Sequence, residues 1–82
     1  MVKLENVRRD GDTASCNFIP ENSDPKDAGF ICINRAGEYL ELAPCSDPKY
    51  KDSMKHPHHA RNFLKKIFDM DVVPESEIVM WY

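Results

Sequence analysis

GFICINRAGEYLELA, residues 29–43, is the stretch that decides the fold of this chain. Two apolar runs flank Arg35-Ala36-Gly37, and the alternation on either side reads as a β-hairpin. A two-residue loop would force Ala36 to positive φ, where its Cβ is strained. A three-residue loop places only Gly37 there. In that register Asn34 faces Glu38, Ile33 faces Tyr39, Cys32 faces Leu40, Ile31 faces Glu41 and Phe30 faces Leu42. Phe30, Cys32, Leu40 and Leu42 are then assigned to the core, and Ile31, Ile33 and Tyr39 to the opposite face. The alternative register would put Ile31 and Ile33 inside with Leu40 and Leu42. Turn chemistry selects the first.

Upstream, two more alternating runs flank Asp10-Gly11-Asp12. Under strict alternation, a two-residue Asp10-Gly11 loop would mix charged and apolar residues on one face. A loop of Arg9-Asp10-Gly11 instead pairs Val2 with Phe18, Leu4 with Cys16, Asn6 with Ala14 and Arg8 with Asp12, giving one apolar face. The predicted strands are about 2–9, 13–19, 29–34 and 38–43. The connection PENSDPKDA, residues 20–28, is rich in turn formers, and a second loop begins at Pro44.

Downstream, Ala60, Phe63, Leu64, Ile67 and Phe68 recur at helical spacing. Pro57 suits the first helical position, and Val72-Val73-Pro74 ends the pattern, so the helix is expected over about 57–71. The apolar segment 78–82 reads as a last short strand. Chain direction lets it pair beside the first strand, giving the order 4-3-2-1-5 with the helix on one face. The expected fold class is therefore α+β: an antiparallel β-meander of two hairpins, one amphipathic helix and a C-terminal edge strand. The 82 residues form a single domain, 1–82, because the chain is too short for two cores.

Composition narrows the functional classes. A net charge of −3 does not suit a chain built as a whole to bind nucleic acid. No apolar run approaches a membrane span, and Met1–Arg9 lacks the apolar core of a signal peptide. Cys16, Cys32 and Cys45 are odd in number and show no C-x-x-C spacing, so reduced thiols in a cytoplasmic protein are expected. No nucleophile elbow, H-E-x-x-H, P-loop or dinucleotide fingerprint occurs. Cys45 and a histidine could form a thiol–imidazole pair, but no third group or oxyanion hole is apparent. We therefore expect no enzymatic activity and no cofactor.

Three features bear on binding. Residues 49–66 hold Lys49, Lys51, Lys55, Arg61, Lys65 and Lys66 against Asp52, a net +5 that leaves −8 for the rest of the chain. Such a stripe suits an acidic protein or a phosphate backbone. Val7, Ile31, Ile33 and Tyr39, on the sheet face opposite the helix, suit a partner subunit or a second copy. Cys45 with His56, His58 and His59 offers zinc-type ligands, although the spacing matches no strong zinc pattern and adjacent histidines diverge on a helix. The leading expectation is a small non-enzymatic protein-interaction module, homodimeric through the open sheet face or docked to an unidentified protein partner. The alternative is a nucleic-acid-binding accessory protein using the 49–66 stripe. A metal-binding protein is the remote third reading, and no membrane association is expected.

Overall fold

Residues 1–81 are described by a computed structural model. The elements are β1 (Val2–Asp10), β2 (Thr13–Pro20), β3 (Gly29–Asn34), β4 (Tyr39–Ala43), α1 (Lys55–Ile67) and β5 (Glu77–Val79), with a 3-10 turn at Pro25–Asp27. The strands form one antiparallel sheet in the order β4-β3-β2-β1-β5, with α1 packed on one face. This is the expected α+β architecture and strand order. The last strand is shorter than expected: Met80 and Trp81 leave the ladder, and Tyr82 lies outside the described residues.

β1 and β2 meet through a two-residue loop, not the expected three. Asp10 pairs with Thr13, and Gly11 takes φ +60 at the first loop position, as a type II′ turn requires. The expectation failed because it assumed unbroken alternation along β1. Glu5 pairs with Asn17 and Arg8 with Ser15, so Asn6 and Val7 together oppose Cys16. Asn6 sits at φ 53, a left-handed conformation that asparagine tolerates better than most residues. The bulge reverses the side-chain parity, so Val2, Leu4 and Val7 all face inward. Asn6 Nδ2 donates to Asn17 Oδ1 at 3.0 Å, and the Val7 amide donates to the Glu75 carbonyl at 3.0 Å.

The second hairpin has the expected loop. Gly37 takes φ +85 and donates its amide to the Asn34 carbonyl at 2.9 Å, while the Asn34 amide donates to the Glu38 carbonyl at 3.1 Å. Ile33 pairs with Tyr39 as expected. A bulge at Leu40 then shifts the remainder, so Cys32 pairs with Glu41, Ile31 with Leu42 and Phe30 with Ala43.

The face assignment of this hairpin is corrected. Ile31 and Ile33 are fully buried, and Leu40 and Leu42 are exposed. Cross-sheet pairing sets this outcome. Cys16 pairs with Ile31 and Ala14 with Ile33, and both β2 residues already face the helix. Tyr39 follows Ile33 and packs against the core. Val7, Ile31, Ile33 and Tyr39 therefore share one face, as the sequence suggests, but it is the covered one. They form no open interface. The uncovered face carries Lys3, Glu5, Ser15, Asn17 and Glu41, with Phe30 and Cys32 half-buried.

α1 contributes Ala60, Leu64 and Ile67 to the core, and Phe68 follows at its end. It starts at Lys55, two residues before Pro57. The first-turn amides of a helix lack intrahelical partners, so Pro57 fits inside that turn as well as at its start. It ends at Ile67, short of the expected 71, where Arg9 of β1 intervenes. Arg9 Nη1 donates to the carbonyls of Ile67, Phe68 and Met70 at 2.8, 3.4 and 2.6 Å. Gly29 pairs with Phe18, whose ring fills the space a Cβ at Gly29 would need.

Candidate functional site

The exposed side of α1 and the loop before it form the most distinctive surface. Core packing of Ala60, Leu64 and Ile67 turns Lys55, His58, Asn62, Lys65 and Lys66 to solvent. Asp47 organises the preceding loop. Its carboxylate accepts the Lys49 amide at 3.0 Å and the Ser23 hydroxyl at 2.9 Å, and its carbonyl accepts the amides of Tyr50 and Lys51. Those two carboxylate bonds hold its pKa below the ordinary aspartate range. The turn leaves the Lys49 and Lys51 side chains exposed.

Five of the six sequence-predicted basic residues, Lys49, Lys51, Lys55, Lys65 and Lys66, are exposed, and none pairs with a carboxylate among the described residues. Arg61 has a different role. It is half-buried and donates to the Gly37 carbonyl at 3.1 Å and to Asn62 Oδ1 at 3.3 Å, tying α1 to the β3–β4 turn. Burial raises the Tyr39 hydroxyl pKa, and the nearby Arg61 charge opposes that rise. Arg61 thus belongs to the fold more than to a docking face.

The histidines separate. His58 is exposed, His59 half-buried and His56 buried, with His56 Nδ1 lacking a hydrogen-bond partner among the described residues. Cys45 is buried in the core. Among the described residues, no group of three or more His, Cys, Asp or Glu side chains converges to hold a metal ion. All three cysteines are free thiols, and burial pushes Cys16 up to about 12, which leaves it an inert core group at neutral pH.

An aromatic cluster at the start of α1 was not foreseen. The His56 ring lies edge-on to Tyr50 at 4.8 Å and to Trp81 at 5.4 Å between centroids. His59 stacks on Trp81 at 3.9 Å with the planes 5° apart. Lys49 Nζ sits 5.8 Å from the Tyr50 ring centre and Lys55 Nζ 5.6 Å from that of Trp81. The His-rich segment and the C-terminal aromatics are visible separately in the sequence, but their convergence needs β5 to bring Trp81 beside α1. Arg9 was missed too, because no local pattern links it to carbonyls nearly sixty residues away.

Among the described residues, no helix is long and apolar enough to cross a membrane. Compared with known protein families, curated proteins and solved structures, the chain matches none.

Proposed function

We propose that this protein is a small non-enzymatic interaction module that docks an acidic segment of a protein partner on the exposed face of α1 and the loop before it. The observation that carries the reading is the set of five exposed lysines that have no carboxylate partner among the described residues. A helix face normally intersperses charges of both signs, which gain a little from pairing. Here Lys55, Lys65 and Lys66 span about 16 Å along the axis, at 1.5 Å per residue, with Lys49 and Lys51 beyond the N-terminal end. A stripe of this length suits a short acidic segment.

Two features favour a protein over nucleic acid. The remainder of the chain carries −8 and would repel a polyanion extending past the stripe. The aromatic rings nearby are already engaged: Trp81 stacks on His59, and Tyr50 contacts His56. Base-stacking platforms need a bare ring face.

The test is a titration of the full chain, followed by backbone amide NMR, with a glutamate-rich peptide and with a single-stranded oligonucleotide of equal charge. The peptide should shift amides of residues 49–66 and bind more tightly than the oligonucleotide at equal salt. Lys65→Glu with Lys66→Glu should weaken it roughly tenfold, the effect of about 1.4 kcal/mol. Tighter oligonucleotide binding would favour the nucleic-acid accessory reading, and absence of shifts with either ligand would end the docking proposal.

A further inference from the structure

We propose that Tyr50, His56, His59 and Trp81 form an acid-sensitive clasp that holds the segment after β5 on the start of α1 and releases it when His56 takes up a proton. This goes beyond partner docking and does not depend on what α1 binds.

The geometry supplies both halves of the device. His56 is only 5% exposed, and its Nδ1 is buried without a hydrogen-bond partner among the described residues. A neutral imidazole tolerates that position. In an imidazolium both nitrogens carry N–H and need acceptors, and a positive charge without an acceptor is costly when buried. The groups facing His56 come from every neighbouring segment. The Met1 amine before β1, Lys55 at the head of α1 and His59 one turn along all oppose a charge there, and among the described residues Glu21 after β2 favours it. Glu21 Oε1 is itself 3.5 Å from the Met1 amine. Attraction of an imidazolium to the Tyr50 and Trp81 rings offsets part of the cost. The net effect, led by burial, holds the His56 pKa below its ordinary 6.5. The neutral ring therefore contributes stability that is fully present above pH 6.5 and is lost as pH falls through the folded value. His59 is pushed the same way by burial, His58, Lys55 and the Met1 amine.

The other half is what the clasp restrains. β5 has three residues and pairs with β1 only at Val2–Val79, Lys3–Ile78 and Leu4–Glu77. Glu77 and Ile78 are exposed and Val79 only partly buried, so the strand has little packing of its own. Trp81, two residues on, is partly buried against the core. Loss of its seat beside His56 would leave β5 held by a short ladder and the partial burial of Val79. The β1 edge at Val2–Leu4 would then become available for pairing.

Trp81 is the chain's single tryptophan, so its emission reports on the clasp alone. Acidification of the full chain should red-shift that emission in one protonation step centred below pH 6.5, while the far-UV circular dichroism of the sheet holds. In the same step, hydrogen exchange at the Val2 and Leu4 amides should accelerate roughly tenfold, as expected for local opening. His56→Phe keeps an aromatic ring without a titrating group and should abolish the step; His59→Gln should retain it. A step that survives His56→Phe and vanishes in His59→Gln would overturn the assignment. So would release of Trp81 only together with loss of the sheet. Should His56→Phe not fold, the imidazole titration of His56 in the unsubstituted protein decides: a midpoint below 6.5 that coincides with the emission change supports the clasp, and a midpoint above 6.5 refutes it.

Discussion

The two ends of α1 are built on opposite principles. At the C-terminal end, Arg9 reaches across from β1 and donates to the carbonyls of Ile67, Phe68 and Met70 at and just beyond the last turn, which Lys65 and Lys66 occupy. Positive charge there complements the helix dipole. The N-terminal end has no acidic residue in its first turn and opens on Lys55. Its N-cap residue, Met54, offers no side-chain cap, and the Ser53 hydroxyl just before it accepts the Lys55 amide at 3.2 Å. The position where a capping box would carry glutamate is Pro57. One end is optimised for stability, while the other gathers cations and a buried imidazole against the dipole. Local rules tend to be broken where a surface serves binding or switching, and the aromatic clasp lies at this N-terminal end, from which the lysine face runs to Lys65 and Lys66.

The contrast can be broken by substitution. Arg9→Met keeps the aliphatic stem and removes the donors. It should cost about 2 kcal/mol, within the range for hydrogen bonds to a charged group, and lower Tm by ~4–8 °C per kcal/mol for a domain of this size. Thermal melts that show no loss would mean the C-terminal end needs no tie. Ser53→Ala should cost less, about 0.5–1 kcal/mol, with faster hydrogen exchange confined to the first turn. A loss as large as that of Arg9→Met would erase the distinction between the ends. Lys55→Glu should change stability least and in the opposite direction. The dipole gain of ~0.3–1 kcal/mol is partly offset by the lost contact with Trp81, leaving a net gain of about 0.3 kcal/mol. The same variant should bind the glutamate-rich peptide more weakly. Stability and binding moving in opposite directions would sharpen the comparison, and a parallel change would contradict it.

The hairpins show how far local pattern carries. Gly37 closes its loop as expected because only glycine adopts that backbone without strain. Gly11 also marks a turn, but the loop is Gly11-Asp12, since the bulge at Asn6 removes the alternation on which the expected register relied. The aliphatic helix face was legible because the 3.6-residue period survives in Ala60, Leu64 and Ile67. The basic stripe was legible as charge, although Arg61 proved to be tied to the Gly37 carbonyl. The aromatic clasp and the Arg9 tie were not legible, because each joins segments that are distant in sequence.

By itself, then, the sequence determined the element order, the strand sequence 4-3-2-1-5, the Gly37 turn and the sharing of one face by Ile31, Ile33 and Tyr39. These follow from short-range sterics, side-chain periodicity and chain direction. Only the tertiary structure decided that this shared face points inward. A hairpin's register says which residues lie together but not which side meets the helix, and pairing of Ala14 and Cys16 with Ile33 and Ile31 supplies that answer. The same pairing removed the face shared by Val7, Ile31, Ile33 and Tyr39 as an interface, leaving the lysine face of α1 as the surface proposed for docking.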